Sequence, residues 1–448
     1  MIAANRAGAV GLRPKSLLQW ALLTILLLFP LLTFSLKGWV NALNLLAGLL
    51  AMIILGWAWI ERRPLLPNAP RLRRWVVALL LAFTLPLLSV LVSQALRGEW
   101  SAPAYDAPAR LLLGGLILLA VMQMQRSTAA ALPVSIPLMQ LITLALLLLA
   151  PNTETWPERP TVGHVDPLML SAMSLLGSLL CLIQLTRQPF DRAKLLLNLL
   201  NLLGLAAGLY IALATQSRTG WLAVPLVLLL LLLLRTRRPL RQALPLALFL
   251  VMAAGMAAYL SSTILQERFT QAVEEFHSYP WQGEVAPDTS IGLRLTFWRI
   301  ALQLLQERPL SGWGSSYPAG LESVTITAFA SPYARELVAD SKFHSELGTR
   351  LVKSGLGGGI AILLLFFVPL AFLLHLPRLA DSQLCVEQLH EIRLLGVTVL
   401  LCFLVTSLST EVFNLKYVTS FFALLMSSLL GSAIVVLHYP ATESRDAP

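Results

Sequence analysis

Long apolar runs joined by short polar connections make up most of the chain. An apolar run of roughly 17–25 residues is the length that crosses a bilayer as a helix. Twelve spans are predicted, at about 17–35, 39–60, 75–95, 108–124, 132–150, 168–186, 195–215, 221–234, 243–261, 354–376, 394–411 and 419–438. The fourth and eighth are the shortest. Arg6, Arg13 and Lys15 precede the first run, as in a signal peptide. No small-x-small cleavage site follows and a second run begins at once, so the first is read as a span. No repeat of fixed period and no mirrored halves stand out.

One connection breaks the rhythm. Residues 262–345 form a long polar stretch between spans nine and ten, and loops of that length in compact proteins usually carry function. The organisation is therefore read as residues 1–261 with spans one to nine, residues 262–345 as a loop carrying the active site, and residues 346–448 with spans ten to twelve and a tail. Within the loop, IGLRLTFWRIALQLLQE (291–307) has apolar residues at helical spacing. It reads as an amphipathic helix lying on the membrane surface or capping a cavity. PLSGWGSSYP then reads as turn and loop, and 332–352 as a helix leading into span ten. The fold class is all-α and polytopic, with about twelve transmembrane helices and one large helical loop.

Composition agrees. Hydrophobic residues are 57% of the 448, charged residues 12%, and mean hydropathy is +0.74. Too few polar side chains remain to cover a soluble enzyme, and a disordered chain needs the opposite balance. The net charge of +10 would suggest nucleic acid in a soluble protein, but in a membrane it first signals topology. With the N-terminus inside, the inner segments hold 19 of the 33 Lys and Arg, chiefly in ERRPLLPNAPRLRR and RTRRPLRQ. That bias predicts both termini inside and the long loop outside. Nucleic acid is not expected as a partner; membrane lipids are. Cys181, Cys385 and Cys402 form no CxxC or zinc spacing.

Candidate chemistry is sought where polar groups gather at outward span ends, because ionisable residues at membrane depth tend to be functional. SRTGW (Ser217 to Trp221) joins spans seven and eight by a few residues and holds Arg218 at the membrane face. Arg218 reads either as a bidentate phosphate ligand or as a snorkelling interfacial arginine. Arg294 and Arg299 in GLRLTFWR are five apart, so about 140° apart around a helix, and cannot share one face. DSKFHSELGTRLVKSGLGGG (340–359) holds the histidine with the richest polar company, His344. An unperturbed His titrates near pH ~6.5, which suits a general base. Asp340 is four residues earlier and would orient the imidazole if the segment is helical. Arg350 and Lys353 add positive charge, and the glycines from Gly355 to Gly359 read as close helix packing. His164 lies outside with Asp166 two residues on. Glu411 is a further acidic candidate, with an ion pair to Lys416 equally plausible. No DxD or ExD pair occurs in an outward loop, and no His/Cys metal constellation, Walker A or Gly-x-Ser-x-Gly elbow is present. No metal and no cofactor are expected.

The order SRTGW, then GLRLTFWRIALQLLQERPLSGWG, then FHSELGTRLVKSGLGG resembles the O-antigen ligase superfamily, which also contains O-antigen polymerases and protein O-oligosaccharyltransferases. Pro309, Leu310, Gly312 and Gly314 match its Pro-Leu-x-Gly-x-Gly motif, and His344 its histidine. Ser345 stands where the superfamily often has Asn. The resemblance covers about residues 215–360 directly. It implies a fold like that of C-type, lipid-dependent glycosyltransferases. It further implies transfer of O-antigen from undecaprenyl diphosphate to a sugar hydroxyl of lipid A–core, on the periplasmic face of the inner membrane, without nucleotide sugar or metal. On that reading His344 is the general base, Arg218 and Arg294 bind the diphosphate with Arg299 or Arg350 in support, and Asp340 and Glu411 assist. A polymerase or a protein-glycosylating enzyme is the alternative within the superfamily. A lipid-linked glycan transporter is a less favoured reading, since neither an inverted repeat nor many mid-span charges are seen.

Overall fold

The computed structural model describes residues 14–124, 126–154, 156, 159–186, 194–215, 217, 223–235, 263–282, 284–340, 343–380 and 383–438, with single positions between 245 and 260. Seven helices run in order through the first half: α1 (Pro14–Ser35), α2 (Trp39–Ile60), α3 (Pro70–Arg97), α4 (Asp106–Met124), α5 (Leu132–Leu149), α6 (Pro167–Leu185) and α7 (Leu195–Ala214). The short α8 (Ala223–Arg235) follows. The loop region holds α9 (Thr263–His277), α10 (Ser290–Glu307), the single turn α11 (Val324–Thr327) and α12 (Pro332–Ala339). Three long helices close the chain: α13 (Glu346–Leu379), α14 (Gln383–Ser407) and α15 (Lys416–His438).

Among the described residues, ten helices are long and apolar enough to cross a membrane. The protein is an all-α, multi-pass membrane protein. Ten of the twelve expected spans are recovered as helices α1–α7 and α13–α15. The expected eighth span is the 13-residue α8, and the ninth, 243–261, falls largely outside the described residues. The strand content among them is one small antiparallel hairpin between α5 and α6, with Pro151 opposite Val162 and Asn152 opposite Thr161.

Local chemistry sets the helix ends. Pro70, Pro167 and Pro332 occupy first-turn positions, where a missing N–H costs nothing. Asp166, Thr289, Ser331 and Ser345 each accept a hydrogen bond from a backbone N–H of the first turn that follows. The bundle is built around α15, which is almost wholly buried. It packs on α4 through small residues: Ser427 Oγ donates to the Gly114 carbonyl at 2.6 Å, and a Cβ at Gly431 would sit 2.7 Å from Val121. Small residues let helices approach where lipid removes the hydrophobic drive to associate. The outer face of α2 is the converse. Leu45, Leu46, Leu49, Met52 and Ile53 are exposed there, as expected of side chains that face acyl chains.

The loop region has a second core. Phe297, Ile300, Ala301 and Leu304 of α10 pack with Trp313, Tyr317, Leu321, Phe329, Val338, Phe343 and Val352. The apolar face of α10 is therefore buried against protein and α13. Of the two expected placements, on the membrane surface or capping a cavity, this burial of the apolar face agrees with the second. The expected helix over 332–352 is instead two elements, α12 and α13, with non-helical chain at Phe343, His344 and Ser345.

Candidate functional site

The site is assembled where α13 begins. Glu346 in its first turn is 1% exposed, and Glu411 in the α14–α15 connection is 8% exposed. Neither carboxylate is idle. Glu346 accepts from Arg350 Nε at 2.6 Å and from the Phe413 N–H at 2.9 Å. Glu411 Oε1 accepts from the Phe343 N–H at 2.8 Å and from Thr349 Oγ1 at 2.7 Å. The two acids thus cross-tie the loop before α13 to the connection before α15. Burial pushes the Glu411 carboxyl above the ordinary carboxylate range. The Thr349 hydroxyl pulls it back, Glu346 pushes it up again, and Lys353 and the Phe343 N–H pull it down.

His344 follows the tied Phe343. Its φ of 48° lies in the left-handed region, which Gly and to a smaller extent Asn, Asp and His adopt. Its ring stacks on Phe297 of α10, centroids 5.6 Å apart and planes 19° apart. The imidazole is partly exposed. Strained backbone held by surrounding structure is characteristic of functional loops. Lys353, two turns into α13, places its ammonium 5.8 Å from the Tyr317 ring, with Glu411 and Glu346 as its nearest opposite charges.

The PLSGWG segment is fixed by a break in α13. Gly355 has φ 64° and ψ −162° inside the helix, so the carbonyls of Val352 and Lys353 lose their normal partners. Trp313 N–H takes the first at 2.7 Å and Gly314 N–H the second at 3.0 Å, while Leu356 N–H donates to Pro309 O at 2.8 Å. A Cβ at Gly312 would lie 2.6 Å from Gly355 N, and one at Gly355 2.5 Å from Pro309 O. That close approach is what the glycines of the motif permit. Arg97 at the end of α3 completes the clamp, donating through Nη1 to the carbonyls of Ser311 and Lys353 and to Ser93 Oγ.

The expected residues divide accordingly. His344, Glu411 and Arg350 belong to one cluster at the start of α13. Asp340 caps the end of α12 and is exposed, so it does not share a helix face with His344. Lys416 pairs with Asp106 at 2.9 Å, not with Glu411. On α10, Arg294 lies about 60° around the helix from Phe297 and Arg299 about 160° from it. Arg294 is exposed. Arg299 points elsewhere, over the Phe329 ring at 4.0 Å with Nη1 donating to Pro280 O at 3.1 Å. Arg218 and Trp221 lie outside the described residues; the neighbouring Ser217 is buried, its carbonyl accepting from Ser171 Oγ at 3.2 Å. His164 is half-buried against Tyr417, and burial lowers its pKa, with Lys37 adding to the effect. All three cysteines are buried. Sequence reasoning missed Arg97 and Glu346. A lone arginine ending a span reads as topology, and Glu346 was visible only as part of HSELG.

Comparison with known proteins bears on this same stretch. A family model described as O-antigen ligase matches residues 203–363. That segment includes α10, the PLSGWG clamp, His344 and the break in α13. An uncharacterized protein of Haemophilus influenzae is 26% identical over 159 residues, covering 35% of this chain and 38% of that protein. The chain thus matches well under half the length of this relative.

Proposed function

We propose that the protein is an O-antigen ligase of the bacterial inner membrane, transferring O-antigen from undecaprenyl diphosphate to a sugar hydroxyl of lipid A–core at the periplasmic face. The observation that carries the reading is His344: an imidazole held in left-handed backbone beside Phe297, on a loop tied down by Glu411, inside the ligase-family segment.

The chemistry runs as a single displacement. The acceptor hydroxyl gives its proton to His344 as its oxygen attacks the anomeric carbon. The bond from that carbon to the diphosphate oxygen breaks, its electron pair leaves with undecaprenyl diphosphate, and the carbon inverts. General-base assistance of this kind contributes about 10²–10⁴-fold. The leaving diphosphate needs positive charge aimed at it. Arg294 serves, about 60° around α10 from the Phe297 that stacks on His344, with Arg218 of the SRTGW motif. Arg350 is already paired to Glu346 and holds the loop rather than the ligand. Arg299, turned away from His344, is taken out of the diphosphate set. Glu411 is a positioning residue acting through Phe343. Both substrates are lipid-anchored, so the site opens sideways to the bilayer at the loop-bearing face.

The test is an in-vitro assay on the purified full chain with lipid-linked glycan and three acceptors offered separately: lipid A–core, a second lipid-linked glycan, and pilin. Transfer to lipid A–core that survives a chelator and is lost in His344→Ala is expected. Transfer only to the second glycan would make the protein a polymerase, and transfer only to pilin a protein O-oligosaccharyltransferase.

A further inference from the structure

Arg299 stands apart from the His344 cluster, and its surroundings have their own chemistry. The guanidinium is fixed by the Phe329 ring beneath it, the Pro280 carbonyl and the Tyr279 side chain, without a carboxylate partner among the described residues. It lines a cleft of about 340 Å³ between α10 and the turn carrying Thr325, Ala328 and Phe329. The other polar liners are Gln303, Gln306 and Thr325, and Leu302 adds an apolar patch. Arg299, Gln303 and Gln306 are spaced by four and three residues, so they form one stripe along α10. Among the described residues, no hydrogen bond within the protein uses the two glutamine amides or the Thr325 hydroxyl.

A diphosphate fits this cleft poorly. It carries several negative charges, and among the described residues Arg299 is the one cation on the lining. Two planar carboxamides, a planar guanidinium and a hydroxyl instead offer paired donors and acceptors to neighbouring hydroxyls, while Leu302 meets a C–H face. The volume is at the small end of the roughly 300–1,000 Å³ usual for ligand pockets, which suits a short stretch of polymer. We propose that the Arg299–Gln303–Gln306 cleft is a glycan-binding subsite, holding sugar units remote from the bond that is transferred. The inference rests on the glycan-transfer reading and extends it: the enzyme grips the polysaccharide itself as well as its lipid diphosphate.

The experiment uses the full chain in detergent and O-polysaccharide released by mild acid from lipopolysaccharide, which carries neither lipid nor diphosphate. Binding is followed by saturation-transfer NMR and calorimetry, with inorganic pyrophosphate as competitor. Wild-type protein is expected to bind the free polysaccharide, and pyrophosphate to leave it bound. Gln303→Ala/Gln306→Ala should weaken binding about tenfold, the effect of losing one or two hydrogen bonds. Should the double variant not fold, Arg299→Lys keeps the charge, loses the planar fork and should also weaken binding. No binding by wild type, equal binding by the folded variants, or displacement by pyrophosphate overturns the proposal. Transfer to lipid A–core on the same preparations separates the two ideas. Transfer with unaltered glycan binding in the variants sinks the subsite alone; cleft-dependent binding without transfer sinks the ligase reading alone.

Discussion

Helices α13 and α15 both meet the requirements of a membrane span, yet they handle polarity in opposite ways. Along α15 the polar groups are small hydroxyls spent on packing: Ser427 Oγ donates to Ala423 and Gly114, and Ser428 and Ser432 bond to Thr128. The first two turns of α13 carry Glu346, Arg350 and Lys353, and the third is broken at Gly355. These hydroxyls bond within the helix, to α4 and to Thr128, all without a formal charge. Charges in a span require partners brought from elsewhere, and here they come from the loop and from the α14–α15 connection. A span whose polar groups are neutral hydroxyls ties helices together as scaffold; a span that carries buried charge, held by loop and connection, organises a site.

The sharpest way to break this contrast is at His344. His344→Ala should lower glycan transfer by about 10²–10⁴-fold with little change in melting temperature. Full activity in the purified variant would remove the base from the mechanism.

Glu411→Ala comes next. It leaves the buried Phe343 N–H and Thr349 hydroxyl without an acceptor, at about 1–3 kcal/mol for each orphaned donor. Thermal unfolding in detergent should register the loss, and activity should fall with it. Glu411→Gln keeps an acceptor and isolates the charge. Because the folded carboxyl titrates above its ordinary range, its contribution to stability is complete below that range and is lost as pH rises through the raised value. Wild type should therefore lose stability across that window, and Glu411→Gln should flatten the curve there. Parallel curves would contradict the assigned burial.

Gly355→Ala places a side chain in left-handed backbone 2.5 Å from the Pro309 oxygen. Strain alone should cost about 1–3 kcal/mol, and the PLSGWG segment should become more open to hydrogen exchange. The smallest effect belongs to α15. Ser432→Ala removes the acceptor for the Thr128 and Ala129 N–H groups and should cost about 1 kcal/mol while leaving transfer unchanged. A Ser432→Ala protein that folds normally but loses activity would erase the distinction between scaffold and site.

Much of the scaffold was legible in the pattern of apolar runs. The expected span 39–60 is α2 residue for residue, and the expected 291–307 helix is α10 to within one residue. Both follow from periodicity and local end signals. The site was legible as residue types and only partly as geometry. DSKFHS was read as helix because its neighbours are helical, but the conformation of Phe343 and His344 is set by Glu411, 68 residues further on. The glycines of PLSGWG were recognisable as a turn, yet their need to lie against Gly355 depends on a break in a distant helix. Arg299 shared a motif with Arg294, and the contacts to Phe329 and Pro280 that separate them are tertiary.

The bond from Phe343 to Glu411 has a further consequence for how the protein is made. The histidine loop is synthesised well before the acid that fixes it, and the last two spans flank that acid. A chain threading into the bilayer in order therefore holds an unlocked loop until its final hairpin is seated. On the proposed reading, the general base is therefore fixed in place only at the end of insertion.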